Sequence, residues 1–227
     1  MISVVVPAYN EERQIGNTLL KMLRIKEIDE IIVVDDGSKD KTCEIVKEIS
    51  FKNKKIQLLI HSMNKGKGCA MRTGVNSANG NIIVFIDASQ FNPNDIPKLI
   101  KKLNGFNMVI GVRNFKSIPF LRKINNFLSR FAVFLGTGKR IGDSITGFRA
   151  IRKKDFLSLN TKEKGYTIEI EITFKAIIKG FKIAEVPIHV NYKGEDSLPT
   201  LTNLKRFVYE SIFTCKLVLK SWFKLWD

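Results

Sequence analysis

Short apolar runs alternate with amphipathic segments through the first half of the chain. The runs at 2–6, 31–34, 56–60, 82–86 and 108–111 are rich in Ile and Val, which is typical of buried strands. The segments 11–23, 40–49, 68–77 and 94–103 place apolar residues at helical spacing, and Asp40 can cap the second of them. This alternation predicts βαβ units and an α/β fold with a mostly parallel sheet flanked by helices.

Two longer amphipathic segments distinguish the second half. A helix predicted over 119–135 opposes Arg122, Lys123 and Arg130 with an apolar face of Phe120, Leu121, Ile124, Phe127, Leu128, Phe131, Phe134 and Leu135. The C-terminal segment opposes Lys205, Arg206, Lys216, Lys220 and Lys224 with Leu204, Phe207, Val208, Ile212, Val218, Leu219, Trp222 and Trp226. Each apolar face either packs in the core or inserts into a membrane interface, for which aromatic residues opposed to lysine are typical.

The positive charge of the chain bears on the choice between core packing and membrane insertion. The 227 residues are enough for one substantial core or at most two small ones, and they carry a formal net charge of +16. An anionic partner is therefore expected, whether nucleic acid, a membrane surface or a phosphorylated substrate. Residues 112–142 contain seven basic and no acidic side chains, which favours the membrane surface. No apolar run approaches the ~20 residues that span a bilayer, and because the chain enters a strand at once we expect no signal peptide.

Carboxylates follow two of the predicted strands. Asp35 and Asp36 end the run at 31–34, and Asp87 ends the run at 82–86. Ligands of open α/β sheets bind at the carboxyl ends of the strands, so these carboxylates can share one crevice. One group of carboxylates could bind the base or ribose of a nucleotide, and the other could bind a metal ion held by its diphosphate. The pattern therefore indicates a nucleotide-binding site.

Five short motifs accompany these strands in sequence order. They are Val6-Pro7-Ala8-Tyr9-Asn10-Glu11-Glu12, the run from Val34 to Thr42, Asn64-Lys65-Gly66-Lys67-Gly68, Asp87-Ala88-Ser89 and Gly147-Phe148-Arg149. In this order the chain resembles the family 2 glycosyltransferases, in particular the dolichyl-phosphate mannosyltransferase-like branch. The resemblance implies a GT-A (Rossmann-like) domain over residues 1–198, followed over 199–227 by an amphipathic helix at the membrane interface.

The resemblance also implies roles for individual residues. On the donor side, the base and ribose are expected to contact Pro7, Tyr9 and Glu11, and the base to contact Asp36 with Val34 beside it. Lys67 is expected at the phosphates. The remaining donor-side residues are Asp87, Ala88, Ser89 and Arg113. Arg140 and Arg149 match the side that holds the acceptor phosphate, where guanidinium can bind phosphate oxygens in bidentate fashion. We assign catalytic roles to Asp87, Arg113, Arg140 and Arg149.

The chain departs from its family at the metal motif. The usual Asp-X-Asp ends here in Ser89, and Phe91 stands where glutamine is common. Asp87 and Ser89 are the expected ligands of Mg²⁺ or Mn²⁺, which prefer hard oxygen atoms. A second departure, at Lys193 and Leu198, weakens the match of the loop that precedes the C-terminal helix.

The resemblance implies inverting transfer of a sugar from a GDP- or UDP-sugar to a polyprenyl (dolichyl-type) phosphate, by a peripheral protein on the cytoplasmic side of the cell membrane. A family 2 enzyme that acts on a sugar or protein hydroxyl is an alternative, and it would need a base such as Asp143. A sugar nucleotidyltransferase would carry a glycine- and arginine-rich N-terminal signature that Pro7-Ala8-Tyr9-Asn10 does not match. A nucleic-acid-binding module would need exposed aromatic residues within a basic groove, whereas here they lie opposite the basic residues, so no nucleic acid is expected.

Overall fold

One seven-stranded sheet organises the fold. The structure is a computed structural model that describes residues 1–114, 120–190 and 201–223. The strands are β1 (Ile2–Ala8), β2 (Glu30–Asp35), β3 (Ile56–Ile60), β4 (Ile82–Phe85), β5 (Met108–Arg113), β6 (Arg149–Arg152) and β7 (Ile183–Ile188). The helices are α1 (Ile15–Met22), α2 (Thr42–Lys52), α3 (Lys67–Ser77), α4 (Ile96–Lys102), α5 (Phe120–Thr137), α6 (Lys153–Ser158), α7 (Ile168–Ile178) and α8 (Leu201–Trp222). A single 3₁₀ turn at Pro93–Asp95 precedes α4.

The strand order is β3-β2-β1-β4-β6-β5-β7, with helices on both faces. All pairs are parallel except those of β6, which runs antiparallel to β4 and to β5. The central strands read as continuous Ile/Val runs because both of their faces are covered. Val4 and Val33 face a core layer with α1, whereas Val5 and Ile32 face the layer of α3 and α7.

The predicted α/β fold is confirmed, and its five predicted strands are present. The sequence did not predict β6 or β7. Arg149-Ala150-Ile151-Arg152 is short and ends in arginine on both sides, and Ile183–Ile188 is a short run interrupted by Glu185 and Pro187. Helix α1 begins at Ile15 rather than at residue 11, since residues 11–14 form a turn instead. Neither difference changes the predicted meeting of strand ends. The parallel strands β1, β2 and β4 have their carboxyl ends at the same edge of the sheet.

Helix α5 presents its aromatic face to solvent. Phe127 is 64% exposed and Phe131 is 51% exposed, whereas Asn126, Ser129 and Val133 form the buried face of the helix. Core packing is therefore excluded for the described aromatic residues of this face. The opposite side of α5, which carries small and polar residues, packs against the rest of the protein.

Helix α8 lies against α5 and is also apolar on its exposed side. Val208, Ile212, Leu219 and Trp222 are exposed, whereas Val218 is buried. The Trp222 indole donates a hydrogen bond of 3.0 Å to the Leu135 carbonyl. Predictions for Pro119, Lys224 and Trp226 lie outside the described residues, as do those for the side chains of 120–122 and 204–207. Within the described ranges, no helix combines the length and the apolarity that crossing a bilayer requires.

Candidate active site

Hydrogen bonds join the loops that follow β1 and β2. The Asn10 amide donates to the Ser38 hydroxyl at 3.0 Å, and the Lys39 amide donates to the Asn10 side chain at 2.9 Å. The Glu11 amide donates to the Thr42 hydroxyl at 2.7 Å. Asn10 has φ 56, a left-handed conformation that asparagine tolerates better than most residues. The two loops thus form one fixed rim of the crevice.

Asp36 holds the glycine loop of residues 64–68. Its carboxylate accepts hydrogen bonds from the amides of Lys65 at 2.9 Å and Gly66 at 2.8 Å, and it contacts His61 Nδ1 at 2.6 Å. The side chain is buried, and Gly66 has φ 95, which favours glycine. The structure therefore shows Asp36 as the residue that positions this loop, with both of its carboxylate oxygens engaged by protein groups.

Asp35 is the neighbouring carboxylate with an unsatisfied atom. It is buried, and its Oδ1 has no hydrogen-bond partner in the part of the chain that the structure describes. A buried acceptor without a donor is costly, and a ligand N–H can satisfy it. Val34, by contrast, lies wholly in the core, so its side chain cannot contact a ligand.

Lys67 joins β4 to helix α7 at the centre of the crevice. Its ammonium lies 2.6 Å from Asp87 Oδ1 and 2.5 Å from Glu169 Oε1. Burial lowers the pKa of Lys67, but the two carboxylates more than offset this effect and raise it above its ordinary value. Lys67 begins α3, directly after the loop that Asp36 holds, so the two predicted carboxylates Asp36 and Asp87 belong to one site.

Glu11 reaches this centre from the first loop. The Ser89 hydroxyl donates to Glu11 Oε1 at 3.1 Å, which links the ends of β1 and β4. Burial raises the pKa of Glu11 to about 7; the Ser89 hydrogen bond opposes this rise and the charge of Asp87 adds to it. Ala88 is buried, and its carbonyl accepts from Thr18 of α1, so only its backbone supports the site.

Arg113 and Asp143 form a buried bidentate pair at the end of β5. The Arg113 Nε lies 2.6 Å from Asp143 Oδ2 and its Nη2 lies 2.9 Å from Asp143 Oδ1. Asn126 of α5 donates a further hydrogen bond of 2.7 Å to Asp143 Oδ1. Asp143 is fully buried, so this pair fixes α5 and the loop 143–148 to the sheet.

Arg149 supports the same loop from beneath. Its guanidinium donates to the carbonyls of Ser144 at 2.7 Å and Thr146 at 2.8 Å and to the Thr173 hydroxyl at 2.8 Å. Burial lowers its pKa to about 10, although Glu169 favours the charged form. Arg149 is only 1% exposed, and its guanidinium is engaged by the loop it supports and by α7.

Arg140 follows helix α5 and precedes Asp143 by three residues. It is exposed, and its guanidinium carbon lies 5.5 Å from the centroid of the Phe134 ring. Phe134 belongs to the exposed aromatic face of α5. The predicted acceptor-side arginine therefore stands where the apolar face meets the loop 141–148. Tyr9, which directly follows β1, is also exposed, and Pro7 within β1 is half-buried.

The oxygen atoms near Asp87 suit a divalent cation that binds together with phosphate. Asp87 and Ser89 offer a carboxylate and a hydroxyl, and within the described ranges no group of three or more His, Cys, Asp or Glu side chains could hold a metal ion alone. Mg²⁺ commonly takes one or two carboxylates and completes its shell with substrate phosphates and water. The residues present fit such a cation only as a partial shell.

Gly147 touches the two charged groups at the centre, which gives a test of this geometry. A Cβ at Gly147 would lie 2.5 Å from Asp87 Oδ2 and 2.8 Å from Lys67 Nζ. We expect Gly147→Ala to displace both groups and to lower turnover by about tenfold to a hundredfold. Gly165→Ala is the matched control, because its Cβ would meet only Glu163 Oε1 at 3.7 Å. Equal activity of the two variants in a steady-state transfer assay would contradict this placement.

Sequence reasoning gave no role to Glu169 and found Asp143 only as a base to inspect. Glu169 and Glu171 are two positions apart on α7, so they project to different sides of the helix. Glu171 accepts from the amides of Lys162 and Glu163, whereas Glu169 turns to Lys67. The signal in the sequence was the pair of acids in Glu169-Ile170-Glu171, which does not show that Glu169 contacts Lys67.

Comparison with known proteins gives a consistent result. The sequence profile described as "Glycosyl transferase family 2" matches residues 3–159. A UDP-N-acetylglucosamine–dolichyl-phosphate N-acetylglucosaminyltransferase of Methanococcus voltae is 34% identical over 97% of this chain and 96% of its own length. The dolichol-phosphate mannosyltransferase of Pyrococcus furiosus is 31% identical over 92% of this chain, which spans 62% of that protein.

Solved structures show the same fold. Glucosyl-3-phosphoglycerate synthase from Mycobacterium tuberculosis, in complex with Mn²⁺, UDP and phosphoglyceric acid, superimposes with a TM-score of 0.78. The sequence identity is 22%, and the match covers 96% of this chain and 78% of that structure.

Proposed function

Because the chain belongs to glycosyl transferase family 2, we propose that it transfers a sugar from a nucleoside-diphosphate donor to a polyprenyl phosphate of the dolichyl type, with inversion at the anomeric carbon. The observation that carries this proposal is the Lys67–Asp87 pair at the end of β4, with Glu11, Glu169 and Gly147 around it. A buried ammonium between carboxylates at a strand end suits a metal-bound diphosphate.

The donor would extend from this centre towards the loops after β1 and β2. Lys67 would stabilise the departing diphosphate, and a bound Mg²⁺ or Mn²⁺ would neutralise the rest of its charge through Asp87 and Ser89. The unsatisfied Oδ1 of Asp35 would accept an N–H from the base, in place of Asp36. Tyr9 and Pro7 would line the base and ribose.

The acceptor would enter beside α5. A phosphate held by Arg140 would place its lipid chain along the exposed aromatic face that begins at Phe134. A phosphate monoester is already ionised at neutral pH, so it needs no protein base for attack. The structure is consistent with this, since Asp143 is paired with Arg113 and Glu169 is paired with Lys67. A hydroxyl acceptor would need one of these carboxylates to accept a proton.

The reaction can be tested directly. The purified protein is incubated with GDP-mannose, UDP-glucose or UDP-N-acetylglucosamine, Mg²⁺ or Mn²⁺, and a polyprenyl phosphate in detergent. We expect one donor to yield a lipid-linked sugar that is detected by mass spectrometry. The unphosphorylated polyprenol should give none, because it lacks the ionised oxygen. Transfer to the alcohol, or no lipid product from any donor, would refute the proposal.

Membrane attachment is the second part of the proposal. The exposed faces of α5 and α8 form one apolar surface, which includes Phe127, Phe131 and Trp222. Basic residues border it, among them the exposed Arg130 and Lys216. Exposed aromatic residues beside lysine and arginine suit the headgroup region of an anionic bilayer. We propose that this surface holds the protein peripherally on the cytoplasmic side of the membrane, where the acceptor lipid is reached.

Substitution of the stacked aromatic pair on α5 tests this attachment. The Phe127 and Phe131 rings lie 6.4 Å apart and nearly parallel. We expect Phe127→Ser with Phe131→Ser to weaken binding to phosphatidylglycerol vesicles by about tenfold or more, since each buried Phe is worth ~1.5–3 kcal/mol. Phe51→Ser is the control, because Phe51 is 92% exposed on α2, away from this surface. Equal flotation of all variants, or stronger retention on duplex DNA than on vesicles, would contradict membrane attachment.

A further inference from the structure

His61 is a buried side chain that directly follows β3, and both nitrogens of its ring are engaged. It is 8% exposed. Nδ1 lies 2.6 Å from Asp36 Oδ1, and Nε2 lies 3.0 Å from the hydroxyl of Thr73 on α3. The backbone amide of His61 also donates to the Asp35 carbonyl at 2.9 Å. His61 therefore joins the ends of β2 and β3 to α3.

The contact with Asp36 determines which ring nitrogen carries a hydrogen. A carboxylate can only accept hydrogen bonds, so Nδ1 of His61 must be the donor. Nε2 then faces the Thr73 hydroxyl, which can either donate to it or accept from it. The ring is thus held from both sides, and it cannot turn without breaking a hydrogen bond to Asp36 or to Thr73.

Asp36 passes this restraint on to the glycine loop of residues 64–68. The Lys65 amide donates to Asp36 Oδ1 at 2.9 Å, which is the oxygen that His61 also contacts, and the Gly66 amide donates to Oδ2 at 2.8 Å. A buried carboxylate that accepts from three donors on separate groups has little freedom to rotate. Loss of the His61 donor would leave it with the two loop amides alone, and the loop would be held less firmly.

The restraint reaches Lys67 from both directions along the chain. Gly66, whose amide Asp36 binds, directly precedes Lys67. Thr73, the other partner of His61, lies on α3, the helix that Lys67 begins. The Lys67 ammonium lies at the centre of the site, where it would stabilise the departing diphosphate. A displacement of about 1 Å in a group of this kind can lower the rate about a hundredfold.

We infer that His61 is a positioning residue for the transfer reaction: through Asp36 it sets the glycine loop so that Lys67 meets the diphosphate of the donor. The inference rests on the proposed function and deepens it, because it assigns a role in turnover to a buried side chain that acts through another residue. The role requires a hydrogen-bond donor at the position of Nδ1. A histidine that only filled space would require no donor at either ring nitrogen.

Asparagine and glutamine at position 61 separate the two ring nitrogens. Along the side chain, the asparagine nitrogen stands where Nδ1 stands, and the glutamine nitrogen stands where Nε2 stands. His61→Asn therefore keeps a donor for Asp36, whereas His61→Gln loses it. We expect His61→Asn to keep kcat within about threefold of the wild type, and His61→Gln to lower kcat by about tenfold or more with a smaller change in KM. Thermal melting should show similar stability for both variants, since both lose the same ring.

The second of the two histidines in the chain provides the matched control. His189 Nδ1 also contacts a carboxylate, that of Asp95 at 3.1 Å, but the His189 side chain is 74% exposed and follows β7. His189→Asn and His189→Gln should both turn over like the wild type. Equal kcat of His61→Asn and His61→Gln, or the same difference between the two variants at position 189, would overturn the inference.

Heteronuclear NMR of the imidazole nitrogens tests the same contact in the wild type. The spectrum should show a hydrogen on Nδ1 of His61, and His189→Asn assigns the two rings. An Nδ1 of His61 without a hydrogen would overturn the inference even if His61→Gln did not fold. The proposed function fails in a different way. Absence of a lipid-linked product from the wild type with every donor would refute that function, whereas the NMR spectrum would still decide the contact of His61 with Asp36.

Discussion

Replacement of Asp87 by Asn is expected to lower turnover by roughly two to four orders of magnitude and to leave the fold intact. The change is isosteric, but it removes the carboxylate that lies 2.6 Å from Lys67 and that is offered to the metal. Lys67 keeps its contact with Glu169 at 2.5 Å, so the buried ammonium is not left without a counter-ion. The loss should therefore fall on kcat and not on stability.

The matched control is Asp155→Asn. Asp155 lies on α6 and accepts a hydrogen bond of 3.0 Å from Asn107, which an asparagine oxygen can also accept. Steady-state kinetics should show wild-type turnover for this variant, and thermal melting should show similar stability for both variants. Turnover of Asp87→Asn within about threefold of the wild type would mean that this carboxylate has no part in the reaction.

The fold was largely predictable because its signals are local. The Ile and Val runs of β1, β2 and β4 are continuous, since helices cover both faces of the sheet. Strand β6 was not predictable in this way, because it is stabilised by its neighbours β4 and β5 and not by its own pattern. The sequence also did not decide whether the apolar face of α5 packs in the core or faces solvent. An amphipathic pattern shows which residues share a face, but it does not show what covers that face.

The candidate site was predictable only in part. The sequence placed Glu11, Lys67, Asp87 and Ser89 at strand ends, and the structure brings these four together. Side chains that hold other residues were harder to recognise. Asp36 binds loop amides that lie 29 and 30 positions further along the chain, and Arg149 binds carbonyls of its own loop. Such partners depend on tertiary structure, so a motif that marks a position does not state which group that position contacts.

Removal of the Asp143 side chain is expected to destabilise the protein more than any other single change proposed here. Asp143 is fully buried and holds Arg113 through contacts of 2.6 Å and 2.9 Å. Asp143→Ala leaves a buried guanidinium and Asn126 without this partner, which should lower the free energy of unfolding by about 3–5 kcal/mol. Asp29→Ala is the control. The exposed Asp29 carboxylate accepts a hydrogen bond of 2.6 Å from the Ile2 amide and lies 4.0 Å from the N-terminus, surface contacts that should together contribute only about 1–2 kcal/mol.

The same position decides between a phosphate and a hydroxyl acceptor. If Asp143 were the base for a hydroxyl, Asp143→Asn would abolish transfer and change the melting temperature little. The structure predicts the opposite result for Asp143→Asn, a marked fall in melting temperature and a smaller loss of transfer. Asp143 accepts hydrogen bonds from Arg113 and Asn126 and has no exposed surface from which to take a proton. The structural role of Asp143 can also be tested by comparing the free energies of unfolding of Asp143→Ala and of the double variant Asp143→Ala with Arg113→Met, measured with denaturant. The double variant should recover part of the lost stability, since it removes the uncompensated charge as well as its partner.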